Sequence, residues 1–395
     1  MKLFRSKLLL CTLLGAICCS DGMGAGWKQE RLEQVRGALP GNRLYRRALK
    51  VLSAQCDSLL TTANPSVMMK ECVPASGDRH DYTSLARYYW PDPATADGFP
   101  YVRRDGETNP DVDRYDRNRV MEFAGGVYAL AVGYWLTDDA RYGEKARDMI
   151  RTWYLDEATR MNPNLTYSQM IPGRNGGMGR PMGIIDTYLM IDVVDAAQLL
   201  EAKGVLAAEE MEALRDWFSE LVDWMLTAPN ARKIARHGNN LGVAYDAQLI
   251  RYALFAGRPE IARRTLESFP ARRLAVQVEP DGSMPQELRR TKAMSYSIYN
   301  VVHMLDICEM GRALGIDLYE AEDRAVERAL RFLAPYLQDP ESFPYEQINE
   351  RRLALDDTAR QLWRAGTLSG NEEFGRLYER YGPRSEKPIF TLLYR

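Results

Sequence analysis

Apolar residues recur at helical spacing along most of the chain, whereas stretches that alternate apolar and polar residues, as strands do, are scarce. Short polar connections separate the apolar stretches and make successive helices antiparallel neighbours. In the connection at 137–139, Thr137 is predicted to be the N-cap of the next helix. The spacing predicts helices over 44–60, 120–136, 142–154, 187–200, 207–226, 243–255, 299–314 and 321–337.

A long succession of helical hairpins is typical of a superhelical solenoid or of a closed α/α toroid. The chain has no fixed repeat period, which argues against a regular solenoid. We therefore expect an all-α protein in which residues 26–395 form one α/α-toroid domain, an incomplete barrel of antiparallel helical hairpins. Irregular segments with Gly and Pro are the predicted walls of a cleft, at 90–110, 162–183, 228–240 and 279–286.

The N-terminus has the layout of an export signal. Basic residues precede an apolar run over 8–17, and small and polar residues follow it. We expect residues 1–25 to be removed and the mature protein to be periplasmic or secreted. The alternative is a lipoprotein anchored through Cys18 or Cys19. No later stretch is long and apolar enough to span a bilayer.

Composition narrows the class of protein further. The 395 residues are 46% hydrophobic and 27% charged, which is ordinary for a soluble globular protein. Because the formal net charge is −2, nucleic acid is not an expected partner, and an acidic ligand must be met by a local basic patch. Beyond the signal, Cys56 and Cys72 could form a disulfide, and buried free thiols, together with Cys308, are the alternative.

Two polar stretches interrupt the apolar helical sequence. The first, 236–240, contains an imidazole and two adjacent side-chain amides, and the second, 287–300, contains guanidinium groups and phenols. Such groups can hold a carboxylate, stabilise an oxyanion and move a proton, which points to acidic sugars. No metal or other cofactor is expected. The acidic cluster of Asp111, Asp113 and Asp116 lacks the Gly and the closing Glu of a calcium loop.

Ordered blocks of sequence lie at 77–82, 88–93, 103–107, 161–164, 171–175, 183–187, 239–240, 245–246, 280–283 and 290–300. Together these blocks resemble the alginate lyase superfamily over 78–336. The resemblance implies an α/α toroid and the cleavage of uronic-acid polysaccharides by β-elimination. The predicted helical hairpins, the export signal and the polar stretches agree with that expectation independently.

β-Elimination requires that the uronate carboxylate be neutralised, that the C5 proton be removed and that the O4 leaving group be protonated. The resemblance implies that Tyr296 transfers the proton and that Asn239 or Asn240, together with Arg290, stabilises the carboxylate. Capping of the following helix is the alternative role for the two asparagines. A phenol titrates near 10, so a basic Tyr296 at neutral pH requires a pKa lowered to about 7, which we expect nearby arginines to supply.

One position departs from the family pattern. Relatives commonly read Asn-Asn-His where this chain reads Asn239-Asn240-Leu241, so the second proton-transfer group is missing there. His237 lies four residues upstream and is the candidate replacement, with an exposed loop histidine as the alternative. A mechanism with tyrosine alone suits syn elimination, as in β-mannuronate, whereas anti elimination from guluronate or glucuronate ordinarily needs a second group.

Further residues are candidates for substrate contact. For the aromatic ones, packing in the core is the alternative role. The candidates are Arg174 and Asn175 in a subsite wall, Trp90 and Tyr89 stacked on sugar rings, Tyr245 and Tyr299 in the cleft wall, and His80.

We therefore predict an exported polysaccharide lyase that cleaves a 1,4-linked uronan, alginate or a related glucuronan, by metal-free β-elimination. The first alternative, motivated by Leu241, is a catalytically inactive relative that binds acidic glycans. The second is a glycoside hydrolase on a similar toroid, with Asp186 and Glu287 as its two carboxylates.

Overall fold

Helices contain most of residues 26–395, the part of the chain that the computed structural model describes. Four short strands, β1 (Thr83–Leu85), β2 (Tyr89–Trp90), β3 (Val102–Arg103) and β4 (Tyr167–Met170), form a parallel β1–β4 pair and an antiparallel β2–β3 pair. The helices are α1 (Gly26–Ala38), α2 (Arg43–Leu60), α3 (Arg117–Thr137), α4 (Ala140–Ile150), α5 (Met190–Ala202), α6 (Ala208–Thr227), α7 (Pro229–Ile234), α8 (Asn240–Phe255), α9 (Pro259–Phe269), α10 (Ala275–Gln277), α11 (Pro285–Leu288), α12 (Ala293–Ala313), α13 (Ala321–Leu333), α14 (Arg351–Ser369), α15 (Glu372–Tyr381) and α16 (Pro388–Tyr394).

The helices differ in how they are buried. In α8, every residue except Leu241 and Leu254 is buried, and α3 and α5 are also buried around most of their circumference. In contrast, α4 and α9 each bury one face and pack it against α3 and α8, respectively. A helix that is apolar all round belongs inside a protein, and an amphipathic one covers it. The hairpins therefore consist of an inner and an outer helix.

Contacts between helices run around a ring. α2 packs against α3, α3 against α5, α5 against α8, α8 against α12, and α12 against α14. α16 lies against both α14 and α2, so it joins the last helix of the ring to the first. The all-α toroid predicted from the sequence is thereby confirmed.

Most of the predicted helices are present, with shifted ends. The helix predicted from 243 begins at Asn240, and the helix predicted from 299 begins at Ala293. The N-cap predicted at Thr137 is wrong, because Thr137 is the last residue of α3 and its hydroxyl donates to the Gly133 carbonyl oxygen at 2.7 Å. Asp139 caps α4 instead, and its side chain accepts from the Arg141 backbone N–H at 3.1 Å.

The cysteines of the described part of the chain are free thiols, so Cys56 and Cys72 form no disulfide there. Cys56 is buried, and its Sγ donates to the Ala129 carbonyl oxygen at 3.3 Å. None of the helices within 26–395 has both the length and the apolar character needed to cross a bilayer. The predicted signal and its Cys18 or Cys19 anchor lie outside the described residues and stay predictions.

Candidate active site

A cavity of about 540 Å³ lies where the first turns of α3, α8 and α12 meet the strands and loops. Tyr296 and Tyr299 of α12 line it, together with Asn240 and Leu241 of α8. Three of the four predicted cleft-wall segments also contribute lining residues. These residues are Arg103 from 90–110, Gln169, Arg180 and Met182 from 162–183, and His237, Asn239 and Asn240 from 228–240.

The hydroxyl of Tyr296 is held by two neighbours in this cavity. Arg290 Nη2 donates to it at 2.9 Å, and the guanidinium carbon lies 3.9 Å from the centroid of the Tyr296 ring. Tyr88 places its own hydroxyl oxygen 3.1 Å from that of Tyr296. Asp105 in turn fixes Arg290, with 3.1 Å between Oδ1 and Nη2. Because Arg290 already occupies a lone pair of the Tyr296 oxygen, the phenolic proton is free to point at Tyr88 or at a ligand.

The electrostatics of Tyr296 differ from the expectation. Burial raises the pKa of Tyr296 above its ordinary value and Tyr88 raises it further, while Arg290 lowers it without compensating for burial. The predicted lowering is therefore wrong for the free protein, in which the phenol is protonated at neutral pH. The sequence reveals the arginine but not the burial of the ring, and burial is the larger effect.

The two adjacent asparagines have different environments. Asn239 is the N-cap of α8, where its Oδ1 accepts from the Leu241 backbone N–H at 3.3 Å. Within residues 26–395 its Nδ2 has no hydrogen-bond partner, so one amide can cap the helix and still donate to a ligand. Asn240 is buried, and both its backbone N–H and its Nδ2 donate to Glu287, at 2.7 and 2.6 Å. Asn239 therefore has the more available donor.

Glu287 on α11 positions the first turn of α8. Its carboxylate is buried and accepts both hydrogen bonds from Asn240, one on each oxygen. Burial raises the pKa of Glu287 to about 7, against the hydrogen bonds from Asn240, which lower it. A buried carboxylate that fixes an amide of the cavity is a positioning group rather than one that reacts.

His237 and Leu241 line the same cavity as Tyr296. Burial and the nearby Arg273 guanidinium lower the pKa of His237 below its ordinary value. The imidazole is therefore neutral at neutral pH and able to accept a proton. Leu241 faces the cavity with a side chain that can neither accept nor donate one.

The walls of the cavity carry an excess of positive charge. Among the residues of the wall that the structure describes, the cationic ones outnumber the acidic ones by six to one, and the acidic one is Glu350. This is the local basic patch that a protein with a net charge of −2 needs in order to hold a polyanion. The six cationic residues are Arg87, Arg103, Arg117, Arg180, Arg290 and Lys292.

Sequence reasoning missed several residues of this site. Tyr88 lies in a block that resembles the family, so a signal was present, but its proximity to Tyr296 depends on a contact between residues far apart in the chain. Gln169 has a φ of 49°, is buried, and bridges Arg180 to Asp186 with two side-chain hydrogen bonds of 2.9 Å. Nothing in the local sequence indicates this conformation.

Some candidate contact residues lie elsewhere. Tyr245 is the clearest correction, because it is buried and its hydroxyl donates to the Met225 carbonyl oxygen at 2.9 Å, away from the residues that line the cavity. Trp90 Nε1 donates to the Glu107 carbonyl oxygen at 3.1 Å and Trp90 does not line the cavity, whereas Tyr89, the other residue predicted to stack on a sugar, does. Arg174 and Asn175 are exposed in a loop outside the cavity, and His80 binds the Arg160 carbonyl oxygen through Nδ1 at 2.6 Å.

The two carboxylates considered for a hydrolase do not face the cavity. Asp186 is buried and accepts hydrogen bonds from Ser84 at 2.5 Å and from Gln169 at 2.9 Å. Glu287 is occupied by Asn240. Among the described residues that line the cavity, neither is present, so this arrangement offers no pair of carboxylates on either side of a glycosidic bond.

The family model described as alginate lyase matches residues 66–343 of this chain. The chain belongs to the alginate lyase family. A solved alginate lyase from Bacteroides ovatus is 39% identical, with a TM-score of 0.91, over 94% of this chain and 99% of that one.

More distant relatives are similar to the chain in sequence or in fold. An alginate lyase of Pseudomonas syringae pv. tomato is 24% identical over 222 residues, which are 55% of this chain and 54% of that protein, so the chain matches about half the length of this curated relative. Alginate lyase A1-III, solved as a complex with a tetrasaccharide, is 16% identical with a TM-score of 0.60, over 92% of this chain and 94% of that one. At this identity the likeness shows the toroid fold alone.

Proposed function

We propose that this protein is a polysaccharide lyase that cleaves alginate or a related 1,4-linked uronan by β-elimination. The observation that carries the proposal is the Tyr296 hydroxyl, which is held by Arg290 and Tyr88 inside a cationic cavity. Membership of the alginate lyase family supports the same reaction class.

Neutralisation of the substrate carboxylate is assigned to Asn239 and Arg290. The free amide N–H groups of Asn239 and the guanidinium of Arg290 face the cavity that contains Tyr296. A carboxylate that accepts hydrogen bonds from such donors withdraws more charge from C5 as the carbanion develops, which makes the C5 proton easier to remove. Glu287 keeps Asn240, and with it the first turn of α8, in place for this contact.

Protonation of the O4 leaving group is assigned to Tyr296. Its phenol is protonated in the free protein, and Arg290 stabilises the phenolate that remains after the proton has left. Tyr88 is positioned to return a proton to Tyr296 through the contact of 3.1 Å between their hydroxyl oxygens.

Removal of the C5 proton has two candidate bases. For syn elimination from mannuronate, the Tyr296 phenol gives its proton to O4 as the C4–O4 bond breaks, and the oxygen that is left takes the C5 proton in the same concerted step, so Tyr296 ends protonated. For anti elimination from guluronate or glucuronate, the base must lie on the other side of the sugar, and the neutral imidazole of His237 is the candidate. Leu241 cannot act as a base. Mannuronate is therefore the favoured substrate, because its syn elimination needs Tyr296 as the only proton-transfer residue.

The test is a panel of four polymers, namely alginate, polymannuronate, polyguluronate and glucuronan. A lyase produces an unsaturated uronate whose absorbance rises with time, and each product has the mass of the cleaved chain without added water. Products that contain an added water would establish hydrolysis instead.

The second candidate is an inactive relative that binds acidic glycans, which is favoured by Leu241 in the cavity wall. Binding of all four polymers without any new absorbance would support it. In that case Leu241→His should create activity, because it would place an imidazole at the position where relatives have one.

A further inference from the structure

A segment that we call the strap, residues 344–350, crosses the start of α12 next to Tyr296. The Ala293 backbone N–H donates to the Glu346 carbonyl oxygen at 2.9 Å, and the Ile348 N–H donates to the Thr291 carbonyl oxygen at 3.0 Å. These bonds attach the strap to the first residue of α12, the helix that carries the proposed catalytic tyrosine, and to the segment just before it.

A side chain of the strap strengthens this attachment. Gln347 Oε1 accepts from the Met294 backbone N–H at 3.0 Å, and its Nε2 donates to Ser295 Oγ at 2.8 Å. Gln347 also forms an isolated antiparallel bridge with Lys292. The strap is therefore a fixed part of the cavity wall.

The strap brings a carboxylate into the cationic cavity. Glu350 Oε2 lies 3.0 Å from Lys292 Nζ. The Lys292 side chain is 5% exposed and that of Glu350 is 47% exposed, so the cation is buried behind a carboxylate that remains accessible. Among the described residues that line the cavity, Glu350 is the one with an acidic side chain.

The strap lies outside the part of the chain that the family model matches. The match ends at residue 343, immediately before the strap begins. Tyr296, Arg290 and Asn239 lie inside the matched region, whereas Glu350 lies beyond it. The carboxylate is therefore added to the matched site by a different part of the chain.

We infer that Glu350 is a specificity-determining residue that cancels the charge of Lys292 and makes this part of the wall bind sugar hydroxyl groups rather than a carboxylate. An ionised carboxylate only accepts hydrogen bonds, so hydroxyl groups suit it and a second carboxylate is repelled. Lys292 alone would attract a uronate carboxylate away from Arg290. The inference rests on the proposed function and concerns how the same site orients its substrate.

Isothermal titration with a mannuronate tetrasaccharide measures this role directly. The parent protein carries Tyr296→Phe so that the ligand is not cleaved, and Glu350→Gln is added to it. Because the substitution frees Lys292 to meet a carboxylate, we expect the Kd to fall roughly fivefold, about 1 kcal/mol, and to depend more steeply on ionic strength. Glu346→Gln is the matched control, since it removes the same charge from the same strap outside the cavity, and it should leave the Kd unchanged.

A double-mutant cycle identifies Lys292 as the group that is freed. With Lys292→Gln in place, Glu350→Gln should no longer tighten binding. An unchanged or higher Kd for Glu350→Gln alone, or a gain that persists without Lys292, overturns the inference. Absence of activity on all four polymers with Tyr296 intact overturns the proposed lyase separately, and absence of binding by every variant overturns both.

Discussion

At the scale of single residues, the protonation state of the Tyr296 phenol decides what this residue can do in the proposed reaction. Burial keeps the phenol protonated, Arg290 stabilises the anion, and Tyr88 lies within hydrogen-bond distance of the same oxygen. In its resting form Tyr296 is therefore a proton donor, whereas its arginine neighbour alone would suggest a base.

Tyr88→Phe tests whether the protonated form of Tyr296 is the active one. The Tyr88 hydroxyl contributes to the raised pKa of Tyr296, so its removal should lower that pKa. If the protonated phenol is the active form, kcat falls at high pH, and this alkaline limb should move to lower pH in the variant. The measurement is kcat as a function of pH for both proteins. A rate that keeps rising through pH 10 in both would mean that the phenolate is the active form.

His237→Ala tests the second base. The His237 pKa is lowered from its ordinary value of 6.5, so at neutral pH the imidazole is neutral and able to accept a proton. We expect a loss of about a hundredfold on polyguluronate or glucuronan and a much smaller loss on polymannuronate. Adding Leu241→His to this variant should restore part of the lost rate. An unchanged rate on all polymers would remove His237 from the mechanism, and equal losses on all of them would contradict its role as the base for anti elimination alone.

At the scale of the elements, the site lies where helices begin. The first turns of α8 and α12 carry Asn240 and Tyr296, and these are the turns that the apolar spacing placed too late in the chain. Polar residues at a helix start hide the periodicity that predicts the helix. The spacing also could not exclude Tyr245 from the cavity wall. Because α8 is buried on nearly all sides, helical spacing does not indicate which side faces a cavity.

Glu287→Gln tests how α11 holds α8. A glutamine would place an N–H group opposite a donor of Asn240, so we expect a loss of about 2 kcal/mol in the free energy of unfolding and a lower kcat. Folding raises the pKa of Glu287 from 4.5 to about 7. The stability that Glu287 contributes in its protonated form is therefore fully present below pH 4.5 and is lost as the pH rises through 7. The difference between the two proteins should therefore be larger at pH 5 than at pH 8.

Urea unfolding at the two pH values measures this difference. Glu279→Gln is the control, because Glu279 is exposed and its substitution should change neither the stability nor the rate. A difference between the Glu287→Gln and parent proteins that is the same at pH 5 and pH 8 would contradict the raised pKa.

For the whole molecule, the fold could be predicted further than the site. Inner and outer helices leave periodic patterns, and ordered blocks that resemble a known family indicated Tyr296, Arg290 and the two asparagines. The contacts of Tyr88 with Tyr296 and of Glu350 with Lys292 join segments that are distant in the chain, and no local pattern encodes them. The burial that raises the Tyr296 pKa is likewise a property of the assembled ring.

The distribution of charge makes a further prediction at this scale. The net charge of −2 would not attract a polyanion, but within residues 26–395 six cationic residues line the cavity beside one carboxylate. Salt should therefore weaken binding far more than it slows the chemical step, and the KM for polymannuronate should rise roughly tenfold between about 0.05 and 0.5 M salt, with little change in kcat. A KM that is independent of salt would contradict a role for the cavity in charge recognition.

The central claim is that the Tyr296 hydroxyl transfers the proton inside this cavity. Its most direct test is the initial rate of unsaturated-uronate formation from polymannuronate, followed by absorbance, for the parent protein, Tyr296→Phe and Tyr245→Phe. The Tyr245 hydroxyl is bonded to Met225 outside the cavity, so its loss is the matched control. We predict a decrease of at least about a hundredfold for Tyr296→Phe and near-parent activity for Tyr245→Phe. A Tyr296→Phe protein that retains the parent rate would contradict the account.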